Sequence, residues 1–356
     1  MKRGKARPVG MRTLWRALAA ALLLCALGLT VAACGSDSGS AGSSTVDVTS
    51  PEADSSTHAE KMSIAINPWI GYGPWYIAKA KGFDKQNGVD LDFVNFVENK
   101  DLYAAVASGR IDSTNALVST AMTFQQAHIP LKVGLFEDIS TDADAMVAAP
   151  GIDSVAQLKG KRVGFEEGGG HEMIVRLALK RAGLTLDDVQ KVPLTPDKAG
   201  TALLAGRVDA AMTYEPYVSQ TLRAKQGSKV IATAGQYPGV ISDIWAVSQK
   251  FADEHHDAVI GALKAWNEGV DYFRSNPDDA LRIMARVAET SPSELGVTLR
   301  GVKFYDVAEA QAFFDSQFHG LAEEILQLAK AQGTIQGDID LDALADSSYL
   351  AQANSK

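Results

Sequence analysis

The stretch "NPWIGYGPWYIAKAKGFD", Asn67 to Asp84, gathers Trp69, Tyr72, Trp75 and Tyr76 around two glycines and Pro74, in a chain only 7% aromatic. Flat rings just ahead of a helix suit stacking on a ligand or packing between lobes. Trp69 and Tyr72 precede the helix and are candidates for the ligand. Trp75 and Tyr76 lie on the helix and read as core. A second candidate is "EEGGGHE", Glu166 to Glu172. Glycines at 168–170 let backbone N–H groups approach a ligand at a helix N-terminus, a ready anion site. Glu166 and Glu167 oppose an anion there by repulsion at close range, although one of them can serve the helix end instead. His171 reads as a helix-start hydrogen-bond donor rather than a metal ligand or a base. Glu215, before Pro216, is either a turn residue or an acceptor for a cationic group. Asp243 is either a ligand contact or a hinge hydrogen-bond partner. These groups can hold a small polar molecule. Outside them no Ser/His/Asp arrangement, paired-carboxylate motif or metal spacing stands out, so no catalysis, metal or cofactor is expected.

The elements that must position these groups alternate between strand and helix, which argues an α/β fold. "MSIAIN" is a strand and "GPWYIAKAKG" a helix, with Pro74 suited to its first turn and Gly82 to its end. "VDLDFVNF", "ENKDLYAAVASG" and "RIDSTNALVS" continue as strand, helix and strand. About a hundred residues later the order repeats through "KRVGFEEGGG", "HEMIVRLALKRAG", "VQKVPL", "PDKAGTALLAG" and "RVDAAMTYEP". "AAVASGRIDSTN" and "TALLAGRVDAAMT" match almost word for word. One unit is used twice. Ligands in open parallel sheets sit outside the carboxyl ends of strands. The ends at 67–75, 115–119 (Asn115, Val118, Ser119), 166–171 (Glu167, Gly169, Gly170, His171) and 213–215 (Tyr214, Glu215) are therefore expected to face one another across a cleft. Lobe 1 is expected over 61–145 plus 244–350 and lobe 2 over 146–243, with helices after Trp245 returning to lobe 1.

The N-terminus is different in kind. Lys2, Arg3, Lys5, Arg7, Arg12 and Arg16 carry no acid among them, and an apolar run then leads to "VAAC" at Cys34. That pattern is a secretory signal over 1–33, starting at Met1 or Met11. The "VAAC" end resembles a bacterial lipobox with a lipidated Cys34; a single membrane-spanning anchor is the alternative. Small polar residues over 34–60 are expected to form a flexible tether. Cys34 would be the only cysteine left, which excludes an intramolecular disulfide. Loss of the six basic residues takes the formal net charge from −9 to −15, because no acid leaves with them. A domain that acidic excludes nucleic acid as a partner.

The residues now carry a resemblance. "GPWYIAKAKGFDKQNGVDLDF", "VASGRIDS", "SVAQLKGKRVGF", "LKRAGL", "LLAGRVDAAMTYEPYVS" and "ISDIWAVSQKFADEHHDAV" occur in the order and spacing of a known group. The chain resembles the solute-binding lipoproteins of ABC importers for nitrate, sulfonate, taurine and thiamine pyrimidine. The resemblance implies a type II periplasmic-binding fold with two lobes and a two-strand hinge. It implies a monomer held on the extracytoplasmic face of the cell membrane by its lipid, delivering a ligand to a permease and its ATPase. The ligand it implies is taurine-like, sulfonate-like or another small nitrogen compound. It places ligand contacts at Asn67, Trp69, Tyr72, Asn115, Val118, Ser119, Tyr214 and Glu215, and an acid near the ligand's amine at Asp243. The loop "EEGGGHE" departs from the hydroxyl-rich loop of sulfonate binders. The alternatives are a sensory lipoprotein of the same fold and thiamine-pyrimidine precursor binding. The synthases of that superfamily use a Cys-rich motif, which this chain lacks.

Overall fold

Met62 to Ile66 are buried almost throughout, as a strand covered on both faces must be. They open a fold seen in a computed structural model that describes residues 44–45, 59–67, 69–96 and 99–355. All of these belong to one unit running from Gly42 to Lys356. The expected signal peptide, Cys34 and most of the expected tether lie outside the described residues.

The strands are β1 (Ser44–Thr45), β2 (Glu60–Ile66), β3 (Val89–Asn95), β4 (Ser113–Leu117), β5 (Leu131–Ser140), β6 (Asp144–Ala148), β7 (Arg162–Phe165), β8 (Gln190–Pro193), β9 (Ala210–Tyr214), β10 (Lys229–Thr233), β11 (Ser242–Ser248) and β12 (Val302–Phe304). They form two mixed sheets. The first has the order β1-β3-β2-β4-β11-β5-β12 and the second β10-β6-β9-β7-β8. In each, three strands of a repeated unit run parallel, β3-β2-β4 and β8-β7-β9, and antiparallel strands complete the sheet. Ser44 and Thr45, in the segment expected to be a free tether, pair with Asn95 and Val94 at the edge of the first sheet.

The helices that position the site are α1 (Gly73–Lys81), α2 (Phe83–Gln86), α3 (Asn99–Ala107), α4 (Val118–Gln126), α5 (Gly170–Arg181), α6 (Pro196–Leu204) and α7 (Tyr217–Ala224). Pro74 sits in the first turn of α1, and Gly82 ends it in the left-handed conformation. A 3-10 turn, Ile70–Tyr72, carries the chain into α1. After β11 the chain is mainly helical: α8 (Gln249–Glu254), α9 (His256–Ser275), α10 (Pro277–Val287), α11 (Pro292–Thr298) and further helices to Asn354. Trp75 of α1 packs against Trp245 of β11 and Trp266 of α9, with ring centroids 5.8 and 5.0 Å away. This aromatic cluster fastens the helical return to the first sheet.

The chain changes sheet twice, between Ser140 and Asp144 and between Thr233 and Ser242. Asp144 and Ala145, in β6, belong to the second sheet, and Ser242 and Asp243, in β11, to the first. The two crossings are bonded to each other. Gly235 N–H donates to the Thr141 carbonyl, and Ser140 N–H to that of Ile241 at 3.2 Å.

Candidate functional site

A cavity of about 190 Å³ lies where the carboxyl ends of the two sheets meet. From the first sheet it takes Asn67, Trp69, Tyr72, Thr114, Asn115 and Asp243; from the second it takes Asp144, Glu166, Gly169, His171, Asp197 and Tyr214. Asn67, Trp69, Tyr72, Asn115, Gly169, His171, Tyr214 and Asp243 are the sequence candidates brought together there. Val118, Ser119, Glu167, Gly170 and Glu215 are not among its lining.

Each of these five has another place in the fold. Val118 and Ser119 begin α4 and are buried. Glu167 is half-exposed beside Lys191, 3.9 Å away. Glu215 accepts from the backbone N–H (3.0 Å) and the hydroxyl (2.7 Å) of Ser219 in α7. Burial pushes its carboxyl up despite these bonds. Gly170 serves close packing. A Cβ there would lie 2.7 Å from Ile241 Cδ1 and 3.0 Å from Leu117 Cδ1, so glycine lets α5 approach the first sheet without displacing these side-chain tips.

The rings of Trp69 and Tyr72 both line the cavity and bond to buried acids. Trp69 Nε1 donates to Asp138 Oδ2 at 3.2 Å, and the Tyr72 hydroxyl to Asp243 Oδ1 at 2.6 Å. Trp75 Nε1 donates to Glu137 Oε1. Adjacent residues on a strand point to opposite faces. The pairing of β5 with β11 shifts between Phe136 and Asp138, and across this irregularity Glu137 and Asp138 each meet an indole, of Trp75 and Trp69 respectively. Asp138 stands opposite Asp243 in that register. Glu137 and Asp138 are fully buried and Asp243 is 4% exposed. Burial, followed by repulsion from neighbouring acids, pushes Asp138 well above the usual carboxylate range; burial pushes Asp243 up to about 7. Burial does the same to Glu137, against the indole bond from Trp75.

Across the cavity, His171 Nε2 lies 2.6 Å from Asp144 Oδ1, with Glu166 Oε2 3.9 Å from Nδ1. Burial opposes a charge on His171, but the Asp144 carboxylate outweighs it and holds the imidazole above its ordinary value. His171 is therefore a partner for Asp144, in keeping with a hydrogen-bond donor at the helix start. Tyr214 meets Trp69 edge-on (5.6 Å) and stacks towards His171 (6.1 Å). Aromatic faces from both sheets thus close one side of the cavity. The Gly-rich loop is less open to an anion than its composition implies, since Gly168 N–H already donates to Glu172 Oε2 at 2.7 Å.

Sequence reading passed over Asp144, Asp197, Thr114 and Tyr217. Asp144 opens β6 straight after the first crossing, within "STDADAMV", where only the presence of acids was a signal. Asp197 starts α6 after Pro196, and Tyr217 follows "TYEP" by one residue.

Comparison with known proteins agrees with this geometry. The taurine-binding periplasmic protein of Escherichia coli K12 is 22% identical over 285 residues, 76% of this chain and 88% of its own. The aliphatic sulphonate-binding protein SsuA of Escherichia coli superposes with a TM-score of 0.64 at 20% identity, covering 80% of this chain and 92% of its own. The periplasmic nitrate-binding protein NrtA of Synechocystis PCC 6803 gives 0.68 at 15% identity, covering 83% and 88%. The desulfurization enzyme DszB shares the fold too, with 0.62 at 14% identity, covering 83% and 98%. The fold is that of the type II periplasmic binding proteins. The family model described as NMT1/THI5 like matches residues 69–280, from the aromatic turn into the first turn of α10, and the chain belongs to that family.

Proposed function

We propose that this chain is the extracytoplasmic solute-binding component of an ABC importer, capturing a small polar solute between its two lobes and handing it to a membrane permease. One observation carries the reading. The cavity draws its wall from the strand ends of two sheets between which the described chain crosses at 141–143 and 234–241. Contacts split between two bodies form fully only when both reach the ligand, so binding energy favours closure about those crossings. Relatives named for taurine, aliphatic sulfonate and nitrate support a small solute, either taurine-like or sulfonate-like or another small nitrogen compound. The eight sequence candidates that line the cavity, together with Asp144, are its proposed contacts. The lobes are those drawn by the two sheets. A lipid on Cys34 would hold the domain, as a monomer, on the extracytoplasmic face of the cell membrane. The same pocket in a non-enzyme needs no bond-making step, and the acids that line it serve binding.

Small-angle scattering tests closure. A ligand found by thermal shift should reduce the radius of gyration of the full-length chain at saturation. Identical scattering with and without bound ligand would refute a two-lobe clamp. Labelled fatty acid should enter the wild-type chain and not Cys34→Ser; incorporation into both would refute the anchor.

A further inference from the structure

Asp144, 2% exposed, gives one oxygen to His171, and its Oδ2 has no hydrogen-bond partner. Asn115, 4% exposed, has neither amide atom paired. Both side chains line the cavity, one from each sheet. Buried polar atoms are almost always satisfied, so these three atoms mark places for ligand groups. We propose that the cavity takes a small organic cation with N–H donors and no anionic group, held between Asp144, Asp243 and Asn115. This rests on the solute-binding reading above.

The hydrogen-bond pattern sets the head group. Asp144 Oδ2 and Asn115 Oδ1 both accept, so the ligand brings at least two N–H bonds. Asn115 Nδ2 donates, so the ligand also has one neutral acceptor such as a hydroxyl or a ring nitrogen. The charge pattern sets its sign. Asp144, Glu166, Asp197 and Asp243 line the cavity with His171, and among the described residues no lysine or arginine does. Trp69, Tyr72, Tyr214 and Tyr217 line the cavity too, and aromatic rings can attract a cation. The cation is organic, because among the described residues no three His, Cys, Asp or Glu side chains are grouped to hold a metal ion. A neighbouring cavity of about 500 Å³ shares Trp69 and Tyr217 and is lined by Arg286. His171 is already taken by Asp144, so an anionic group would have to reach that far for a further cationic partner among the described residues that line the two cavities.

Matched compounds test this. Ethanolamine, 2-amino-1,3-propanediol and histamine are compared with taurine, β-alanine, methanesulfonate and nitrate, each at about 10 mM, by thermal shift of the purified full-length chain. Stabilisation by one or more of the cations and by none of the others is expected. Asp144→Asn, or Asn115→Leu if that variant fails to fold, should then weaken the stabilising cation by at least about thirtyfold in calorimetry. Stabilisation by an anion or a zwitterion overturns the cation and leaves solute binding standing. No stabilisation by any compound overturns both. A cation that binds the two variants within about threefold of the parent overturns the placement at Asp144 and Asn115.

Discussion

Asp112 and Asp209 occupy the same place in the two copies of the repeated unit. In the first copy Asp112 Oδ2 accepts from the N–H and the hydroxyl of Ser63, tying β4 to β2. In the second Asp209 Oδ2 accepts from the N–H and Nε of Arg162, tying β9 to β7. The other acids of the two sheets part ways. Near the cleft, the first sheet buries Glu137, Asp138 and Asp243 against neutral donors: two indoles and a phenol. The second pairs Asp144 with His171, Glu172 with Arg176, Glu167 with Lys191 and Glu215 with Ser219. One lobe is electrostatically settled and the other is left in want of a positive partner. A buried carboxylate without a cation is expensive to ionise, which is why the acids of the first sheet hold their protons to higher pH. In the proposed function, a solute that brings positive charge would relieve the first lobe while touching the second, and that difference would favour closure.

The sharpest way to break the contrast is to disturb the dry side. A Cβ on Gly71 would lie 2.1 Å from both Asp138 Oδ2 and Trp69 Nε1, on top of the bond between them. Gly71→Ala should cost about 2–4 kcal/mol in urea unfolding, from overpacking plus a buried acid stripped of its donor. Gly170→Ala on the other side meets only flexible tips of Ile241 and Leu117 and then Val240 O at 3.2 Å. It should cost about 1 kcal/mol. Equal losses would erase the distinction.

Titration comes next. Asp243 titrates near 7 in the folded chain, driven up by burial, against about 3.9 unfolded. Between those values the folded state binds the extra proton, so stability falls as pH rises, and the loss is complete above 7. Glu137 and Asp138 are displaced in the same direction. The raised His171 adds to it, because its stabilisation is full below about 6.5 and is lost as pH climbs through its folded value. Asp243 alone should remove about 2 kcal/mol from the empty protein between about pH 5.5 and 8, and Asp243→Asn should flatten that slope. A cationic ligand should bind more tightly as pH rises over the same range, and an anionic one less tightly. Stability that increases with pH would contradict the dry-side account.

The repeated aspartates should give a smaller and symmetrical effect. Asp112→Ala and Asp209→Ala each remove bonds to a backbone N–H of the neighbouring strand, at a cost of about 1–2 kcal/mol by urea unfolding. Ligand affinity should stay unchanged in both, since neither residue lines the cavity. A loss in only one of them would mean that the two copies do not share this tie.

The repeat was readable from "ASGRIDS" and "LAGRVDA" because its helix and turn signals are local and its strands are short apolar runs. The role of its aspartate was not, since the partner lies 49 or 47 residues away. The aromatic turn was readable because rings crowded around glycines need a ligand or a lobe to cover them. Glu137 and Asp138 were not, for "KVGLFEDIS" gives no sign of the shifted register across which each acid meets an indole. Asp144 escaped for a related reason. It faces the cavity only because the chain changes sheet three residues earlier. Gly170 was read as part of an anion loop, a role its sequence fits, whereas its packing against Leu117 and Ile241 depends on how closely the two sheets approach.

Glu167 gives the smallest expected effect and separates loop position from loop chemistry. It follows Glu166, which lines the cavity, and precedes the glycines of the α5 start. Its side chain, however, is 47% exposed and lies beside Lys191, itself 47% exposed. A surface pair of this kind contributes about 0–1 kcal/mol and is screened by salt. Glu167→Gln should therefore change unfolding stability by less than about 0.5 kcal/mol and leave ligand affinity within about twofold. Glu166→Gln, in the cavity wall, should change the affinity of a charged ligand, weakening a cation and strengthening an anion. If Glu167→Gln produced the larger shift of the two, the loop would have to turn its other carboxylate inward on binding, and the acids that meet the solute would need to be reassigned.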